Sequence, residues 1–346
     1  MKYQYIDALR GLAILGVVTI HCAFNLGVDF SFSFATLALL GHKGVQLFYM
    51  VSALTLMLSY KNRREEKSPT GNFFIRRFFR IAPVYYLALL LYQLAWSTEF
   101  KSGIVLSNIF FVHGFSPYWI NSGIPGGWSV GVEMTFYLLF PFVVVFITNL
   151  NRALLFALFA FVLRIAFFVY FSSHPLADDA SLWEQFLEYN FINQLPVFAL
   201  GFILYFLIYE RSAVHPYAFL LLAALTVFLY AWDLKVNYFL MEIALFVLAF
   251  ALSQKEFPLL VNPVLTYIGK ISFSMYICHI AVIFLLEETS IDHAFSSAAL
   301  NFFLYESVVI VEAGIIASLS YYFIEKPFIK LGHRLVHKRE AKAKLL

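Results

Sequence analysis

Ala8-Leu9-Arg10-Gly11-Leu12-Ala13-Ile14-Leu15-Gly16-Val17-Val18-Thr19-Ile20-His21 is an almost unbroken apolar run with a guanidinium near its start and an imidazole at its end. Eleven residues at about 100° each make three turns plus roughly 20°, so Arg10 and His21 share one helical face about 16 Å apart along the axis. Asp7, three residues before Arg10, falls on that face too. So apolar a run reads as a membrane span, and ionisable groups are costly in hydrocarbon unless they face a bundle interior or an aqueous cavity. The stripe from Asp7 to His21 is therefore expected to line a cavity.

The rest of the chain has the same character. Of 346 residues, 62% are hydrophobic and 13% charged, against about a quarter charged in soluble domains. This composition excludes a soluble globular protein and indicates an all-α, polytopic membrane helix bundle. Runs long enough to cross about 30 Å of hydrocarbon fall near residues 9–27, 44–60, 80–96, 128–148, 153–171, 191–209, 217–232, 238–253, 268–286 and 300–324, about ten transmembrane helices. The run Ile104 to Val112 is too short to span and is expected to re-enter from one side. No stretch of a hundred residues separates the spans, so residues 1–346 read as a single integral membrane domain. No small-residue cleavage site follows the first run, which marks it as a retained helix. Cys22 and Cys278 lie within spans and read as small buried hydrophobes, without disulfide or metal.

Lysine and arginine set the orientation, because positive loops resist translocation. One side holds Lys2, Arg10, Lys61, Arg63, Arg64, Lys67, Arg76, Arg77, Arg80, Arg152, Arg211, Lys255, Lys270 and the basic tail after Glu325, whereas the other holds Lys43, Lys101 and Lys235. Both termini are thus expected in the cytoplasm of a multi-pass protein of the cell (inner) membrane.

Two further constellations carry chemistry. In Phe73-Phe74-Ile75-Arg76-Arg77-Phe78-Phe79-Arg80-Ile81-Ala82-Pro83, Arg77 and Arg80 lie three apart on the entry to the third span and point the same way, a fork suited to phosphate oxygens. Juxtamembrane arginines also anchor topology and meet anionic lipid. In Gly126-Gly127-Trp128-Ser129-Val130-Gly131-Val132-Glu133, the carboxylate lies roughly 7.5 Å below Trp128, a depth matching that of His21 in its own span. A carboxylate near an imidazole stabilises the imidazolium that a general base becomes. The alternative partner for Glu133 is Arg164, an arginine deep in a span. His279 reads as a hydrogen-bonded packing residue, and Glu242, Glu306 and Glu312 are further intramembrane carboxylates. Gly44 places a small residue where helices approach. No His, Asp or Glu spacing suggests a metal site.

Taken together these elements resemble the acyltransferase family 3 membrane proteins, which transfer acyl groups, commonly acetyl, to bacterial surface polysaccharides. The matching parts, in family order, are Ile6 to Ile14 with His21 completing an Arg-ten-residues-His motif; Gly44 to Ser52; Arg77 to Pro83; Trp128 to Glu133; Gly269 to His279; and Glu325-Lys326-Pro327. Ala53 departs from the glycine common there, and the fused hydrolase-like domain of some members is lacking, which suggests a stand-alone enzyme. The resemblance implies acyl-CoA, as acetyl-CoA, for the donor, an extracytoplasmic glycan hydroxyl for the acceptor, His21 and Glu133 as catalytic residues, and Arg10, Arg77 and Arg80 as the acyl-CoA-binding arginines. Direct transfer and an acyl-histidine intermediate both fit. The rival reading is a transporter or flippase for a lipid-linked sugar or small solute, in which Arg10, His21, Glu133 and Arg164 form a pathway; the lack of a visible internal repeat weighs against it.

Overall fold

The structure, a computed structural model, describes residues 3–28, 41–96, 101–210, 236–287, 289, 291 and 294–344. Among the described residues every regular element is helical. The chain runs through α1 (Gln4–Asn25), α2 (Gly44–Lys61), α3 (Pro69–Ala95), α4 (Ser102–Ile109), α5 (Trp128–Phe146), α6 (Leu150–Ser173), α7 (Ala180–Tyr189), α8 (Phe191–Tyr209), α9 (Val236–Gln254), α10 (Pro263–Leu286), α11 (Ala298–Ser320), a π-helical turn (Tyr321–Glu325) and α12 (Lys326–Lys344). Side-chain caps from Asn149, Asp179, Asn190, Asn262 and Ser297 open α6, α7, α8, α10 and α11, each satisfying N–H groups that a helix start leaves without partners.

Seven helical stretches among the described residues are long and apolar enough to cross a membrane: α1, α3, α5, α6, α7 joined to α8, α10, and α11 continued into α12. The chain is a multi-pass membrane protein. Of the other three stretches expected to span, 44–60 is the helix α2, 238–253 is α9 with a shorter apolar core, and 217–232 lies outside the described residues. The run from Ile104 forms only α4, eight residues or about 12 Å. It ends at Phe111, whose φ of 56° is left-handed, and passes into a 3-10 turn at His113–Phe115. The segment does not cross.

The centre of the bundle is α1, packed along α10 and flanked by α2 and α11. Its Ala8, Leu9, Ile14, Val18 and Cys22 are fully buried. Between helices in hydrocarbon, association depends on close packing, and small residues let backbones approach. At the crossing of α1 and α10, Gly11 faces the Leu265 carbonyl and Gly269 faces the Asp7 carbonyl so closely that any Cβ would strike backbone. Gly44 meets α1 in the same manner at the Ala13 carbonyl, as its size suggests. On the far side of α2 lies α8, which carries α6 in turn.

The last helix, α12, doubles back along the first half of α3. Glu340 accepts from the backbone N–H of Lys67 (2.9 Å) and Ser68 (3.2 Å) and from Asn72 Nδ2 (2.6 Å), and Arg339 donates to Ser68 Oγ (2.9 Å). A carboxylate at a helix start meets unpaired N–H groups and the positive end of the dipole.

The crossing gives a sharp contrast between glycines. Gly269→Ala should lower stability by about 1–3 kcal/mol, since backbone cannot yield as a flexible side chain does. Gly314→Ala, in α11 with no atom near the added methyl, should change little. Thermal unfolding of the two purified variants checks the pair, and equal melting temperatures would refute the role given to the crossing.

Candidate active site

Where α1, α2, α3, α5 and α10 converge, one cavity is lined by Arg10, Arg77, Arg80, Ser52, Glu133 and Tyr137, with Tyr276 in its wall. Its charge comes from how the arginine-rich entry to α3 divides. Arg76 makes two hydrogen bonds to Glu66, at 2.9 and 3.1 Å, and is neutralised there. Arg77 and Arg80, on another face of the helix, turn to the cavity. The Arg77 guanidinium lies over the rings of Tyr137 (5.4 Å) and Phe73 (5.6 Å), a cation–π arrangement that fixes its plane. Its Nε is buried without a protein acceptor. A buried donor left without a partner costs roughly 1–3 kcal/mol, which a ligand oxygen or water would recover.

Arg10 reaches the same space from α1. Its Nη2 donates to Thr55 Oγ1 at 3.4 Å, and its Nη1 lies 3.7 Å from Asp7 Oδ1. Glu133 supplies the carboxylate of the lining, held by Ser52 Oγ at 2.7 Å and Tyr137 OH at 2.5 Å. Within the lining three guanidiniums face one carboxylate, and Asp7 partly offsets Arg10 from outside it. Planar bidentate donors of this kind suit phosphate or carboxylate oxygens.

Beyond the cavity wall stands a pair of imidazoles. His279 is 1% exposed; its Nδ1 lies 2.7 Å from the Tyr276 carbonyl and its Nε2 lies 3.1 Å from His21 Nδ1. His21 Nδ1 is also 2.9 Å from the Val17 carbonyl. These acceptors assign the tautomers of the neutral rings. A carbonyl only accepts, so His279 Nδ1 carries its proton and leaves Nε2 bare. His21 Nδ1 must then carry the proton that faces both Nε2 of His279 and the Val17 carbonyl. The remaining nitrogen of His21, Nε2, keeps its lone pair, and the half-buried ring is ready to accept a proton there. Tyr276 joins the two regions: it lines the cavity, its ring lies 5.6 Å from that of His279, and its hydroxyl donates to the Gly126 carbonyl (2.9 Å) and accepts from Ser129 Oγ (2.8 Å).

Arg10, Arg77, Arg80 and Glu133 thus meet in one cavity, while His21 stands outside its lining with His279 as partner. The hydrogen bonds of Glu133 run to Ser52 and Tyr137. Counting residues from the ends of two spans put the carboxylate at the level of the imidazole, but the helices pack so that Glu133 shares the level of Arg10, about three turns along α1 from His21. Arg164 does not pair with Glu133; it lies 3.5 Å from Glu242 in α9. Glu306, in α11, accepts from Thr19 Oγ1. The sequence reading missed the role of His279 beside His21. Its signal was present, since Tyr276 and His279 are three apart on the Gly269 to His279 stretch.

A multi-pass helical bundle with a guanidinium-rich cavity next to a tautomer-fixed imidazole has the equipment of an enzyme that moves a group from an anionic carrier. The chain belongs to acyltransferase family 3: the family's acyltransferase domain model matches residues 3–322. A protein of Staphylococcus aureus strain COL named "Putative O-acetyltransferase" is 26% identical over 98% of this chain and 59% of its own length. Its counterpart in strain MRSA252 is 26% identical over 99% and 60%. The "Peptidoglycan O-acetyltransferase OatA" of Listeria monocytogenes is 26% identical over 41% of this chain and 24% of its own length. The chain spans 60% or less of these curated relatives. No solved structure matches.

Nitrogen NMR of protein labelled at histidine should give protonated Nδ1 for both His21 and His279 and a bare Nε2 for His21. A bare Nδ1 at His21 would reverse the assignment of the basic atom.

Proposed function

We propose that the protein is a membrane O-acyltransferase that moves an acetyl group from cytoplasmic acetyl-CoA to a hydroxyl of an extracytoplasmic cell-surface polysaccharide or related glycan. The observation that carries this reading is the convergence of Arg10, Arg77 and Arg80 on one cavity whose Tyr276 wall abuts the His279–His21 pair. The adenosine phosphates of the donor would sit on the three guanidiniums, with Arg77 Nε gaining the acceptor it lacks. The uncharged pantetheine arm would extend past Tyr276 along the face of α1, bridging about 16 Å from Arg10 to His21. The names of the relatives support acetyl as the group and a hydroxyl as its acceptor.

In the transfer, the acceptor oxygen bonds to the thioester carbonyl carbon while its proton passes to His21 Nε2. The carbon–sulfur bond then breaks, and the thiolate takes the proton back from the imidazolium. During its charged interval the imidazolium is stabilised by the Val17 carbonyl and the bare Nε2 of His279. Glu133 acts from within the cavity, where it faces the arginines and keeps Tyr137 oriented below Arg77.

His21→Ala should abolish transfer to glycan yet leave acetyl-CoA binding within about twofold. Arg77→Lys and Arg80→Lys, which keep charge but lose the planar fork, should each weaken donor binding roughly tenfold or more. Glu133→Gln should impair transfer strongly. Acetyl-CoA titration and mass spectrometry of envelope glycans, at equal membrane abundance, measure both effects. Substantial transfer by His21→Ala would refute the mechanism. A parent that binds no acetyl-CoA but moves solute would favour a transporter.

The same reading includes ten spans, an inner-membrane location, one domain over residues 1–346, and both termini in the cytoplasm, supported by the lopsided count of Lys and Arg. A cysteine placed at the exposed Asn121 should react with an impermeant maleimide on intact cells, and one at the exposed Glu65 only after permeabilisation. The reverse pattern would put the arginine cavity on the wrong side for a cytoplasmic donor.

A further inference from the structure

The turn that ends α11 is π-helical over Tyr321–Glu325, and it packs against both α3 and α10 before the chain enters α12. Such turns are rare and are frequent at functional sites, and they shift side chains out of α-helical register. Here Tyr322 and Phe323 are 48% and 75% exposed, while Glu325 is 2% exposed. The rotated carboxylate faces inward. Its Oε2 accepts from Ser274 Oγ at 2.8 Å, and Ser274 follows Ser272 and Phe273, two residues of α10 in the cavity wall. The turn packs against α3, the helix of Arg80, and Ser272, two residues before Ser274, shares the cavity lining with Arg10 and Arg80, so the carboxylate stands behind the wall that these guanidiniums face, without an ion pair to either.

A carboxylate buried this deeply persists only where cations and hydrogen bonds compensate it. Three guanidiniums converging on one cavity repel one another, and long arginine side chains relieve that by swinging to solvent or lipid headgroups. The carboxylate behind them, in its ionised form, opposes both effects without occupying the cavity.

We infer that Glu325 is a positioning residue: held by Ser274 at the π-helical turn, its carboxylate aims the Arg80 and Arg10 guanidiniums into the cavity for the phosphates of the donor. The inference rests on the donor reading given above. Glu325 touches no reacting atom and acts through the arginines, a case of a binding site preorganised before its ligand arrives.

The test is steady-state transfer and acetyl-CoA titration with the full chain, comparing the parent with Glu325→Gln, Glu325→Asp, Ser274→Ala and Arg80→Lys. Glu325→Gln keeps shape and hydrogen bonding but removes charge. It should raise the donor KM about tenfold while kcat changes less than about threefold, and Glu325→Asp should recover much of the loss. Ser274→Ala, which leaves the charge but frees the carboxylate, should raise KM by a smaller factor and covers the case in which Glu325→Gln does not fold. Combined with Arg80→Lys, Glu325→Gln should add little, as the two groups act as one unit. Unchanged or tighter donor binding in Glu325→Gln, a loss confined to kcat, or fully additive losses in the double variant would each overturn the inference. A parent that binds no acetyl-CoA would instead overturn the donor reading, and this inference with it.

Discussion

The contact on which the rest depends is the crossing of α1 and α10 at Gly11 and Gly269. Because both helices offer bare backbone there, they run close enough for the polar residues further along to meet. On α10, Gly269, Ser272, Tyr276 and His279 fall within about 80° of one another. That face is turned to α1, whose own stripe carries Arg10 and His21. One crossing therefore sets Arg10 beside Ser272 in the cavity wall and His21 beside His279 about three turns away. Replacing either glycine by a larger residue would separate both pairs together, since lipid supplies no hydrophobic drive to restore a lost helix contact.

Charge is distributed with the same economy. Arg76 is neutralised by Glu66, Lys61 by Glu210 at 2.8 Å, and Arg164 by Glu242. These pairs hold segments together and leave Arg77 and Arg80 facing the cavity beside Glu133, while Arg10 is shared with Asp7. Because α12 ties down the start of α3 through Glu340 and Arg339, the arginine segment is anchored at both sides, by the last helix outside and by the α10 wall within. Ion pairs between exposed side chains contribute little. Inside a low-dielectric bundle the location of an unpaired guanidinium instead decides what can bind.

Much of this was legible in the residues. Hydropathy located the spans because every backbone polar group in hydrocarbon must be paired internally, which leaves the helix as the form such runs adopt. The three-residue spacing of Arg77 and Arg80, and the eleven-residue spacing of Arg10 and His21, fixed which groups share a face, since helical periodicity is rigid. Less legible was anything that depends on rotation between helices. Glu133 was expected level with His21, yet it lies in the cavity with Arg10, bonded to Ser52 and Tyr137, whereas His279, which looked like a packing residue, meets His21. The start of α3 was also obscured: Pro69 to Phe79 is too polar to read as a span, but it is helical because α12 packs on it and Glu340 caps it. Glu325 belonged to a recognisable motif, but only the π-helical turn, invisible to a 3.6-residue period, carries it inward.

In the mechanism proposed, pairing the imidazole of His21 with a second imidazole, and not with a carboxylate, suits the solvent. A neutral His–His pair buries no net charge in its resting state, whereas a carboxylate beside a neutral histidine would leave an anion unpaired in a dry site. The cost falls in the transition state, where the imidazolium has a bare nitrogen and a carbonyl to stabilise it in place of a full negative charge. Such a base is a weaker proton trap. In the proposed transfer it would return its proton to the departing thiolate, leaving the imidazole bare for the next acceptor. The carboxylate of Glu133 instead lies among the arginines of the cavity. The imidazole pair and the cavity carboxylate are in this bundle separated in space, with Tyr276 adjoining both regions.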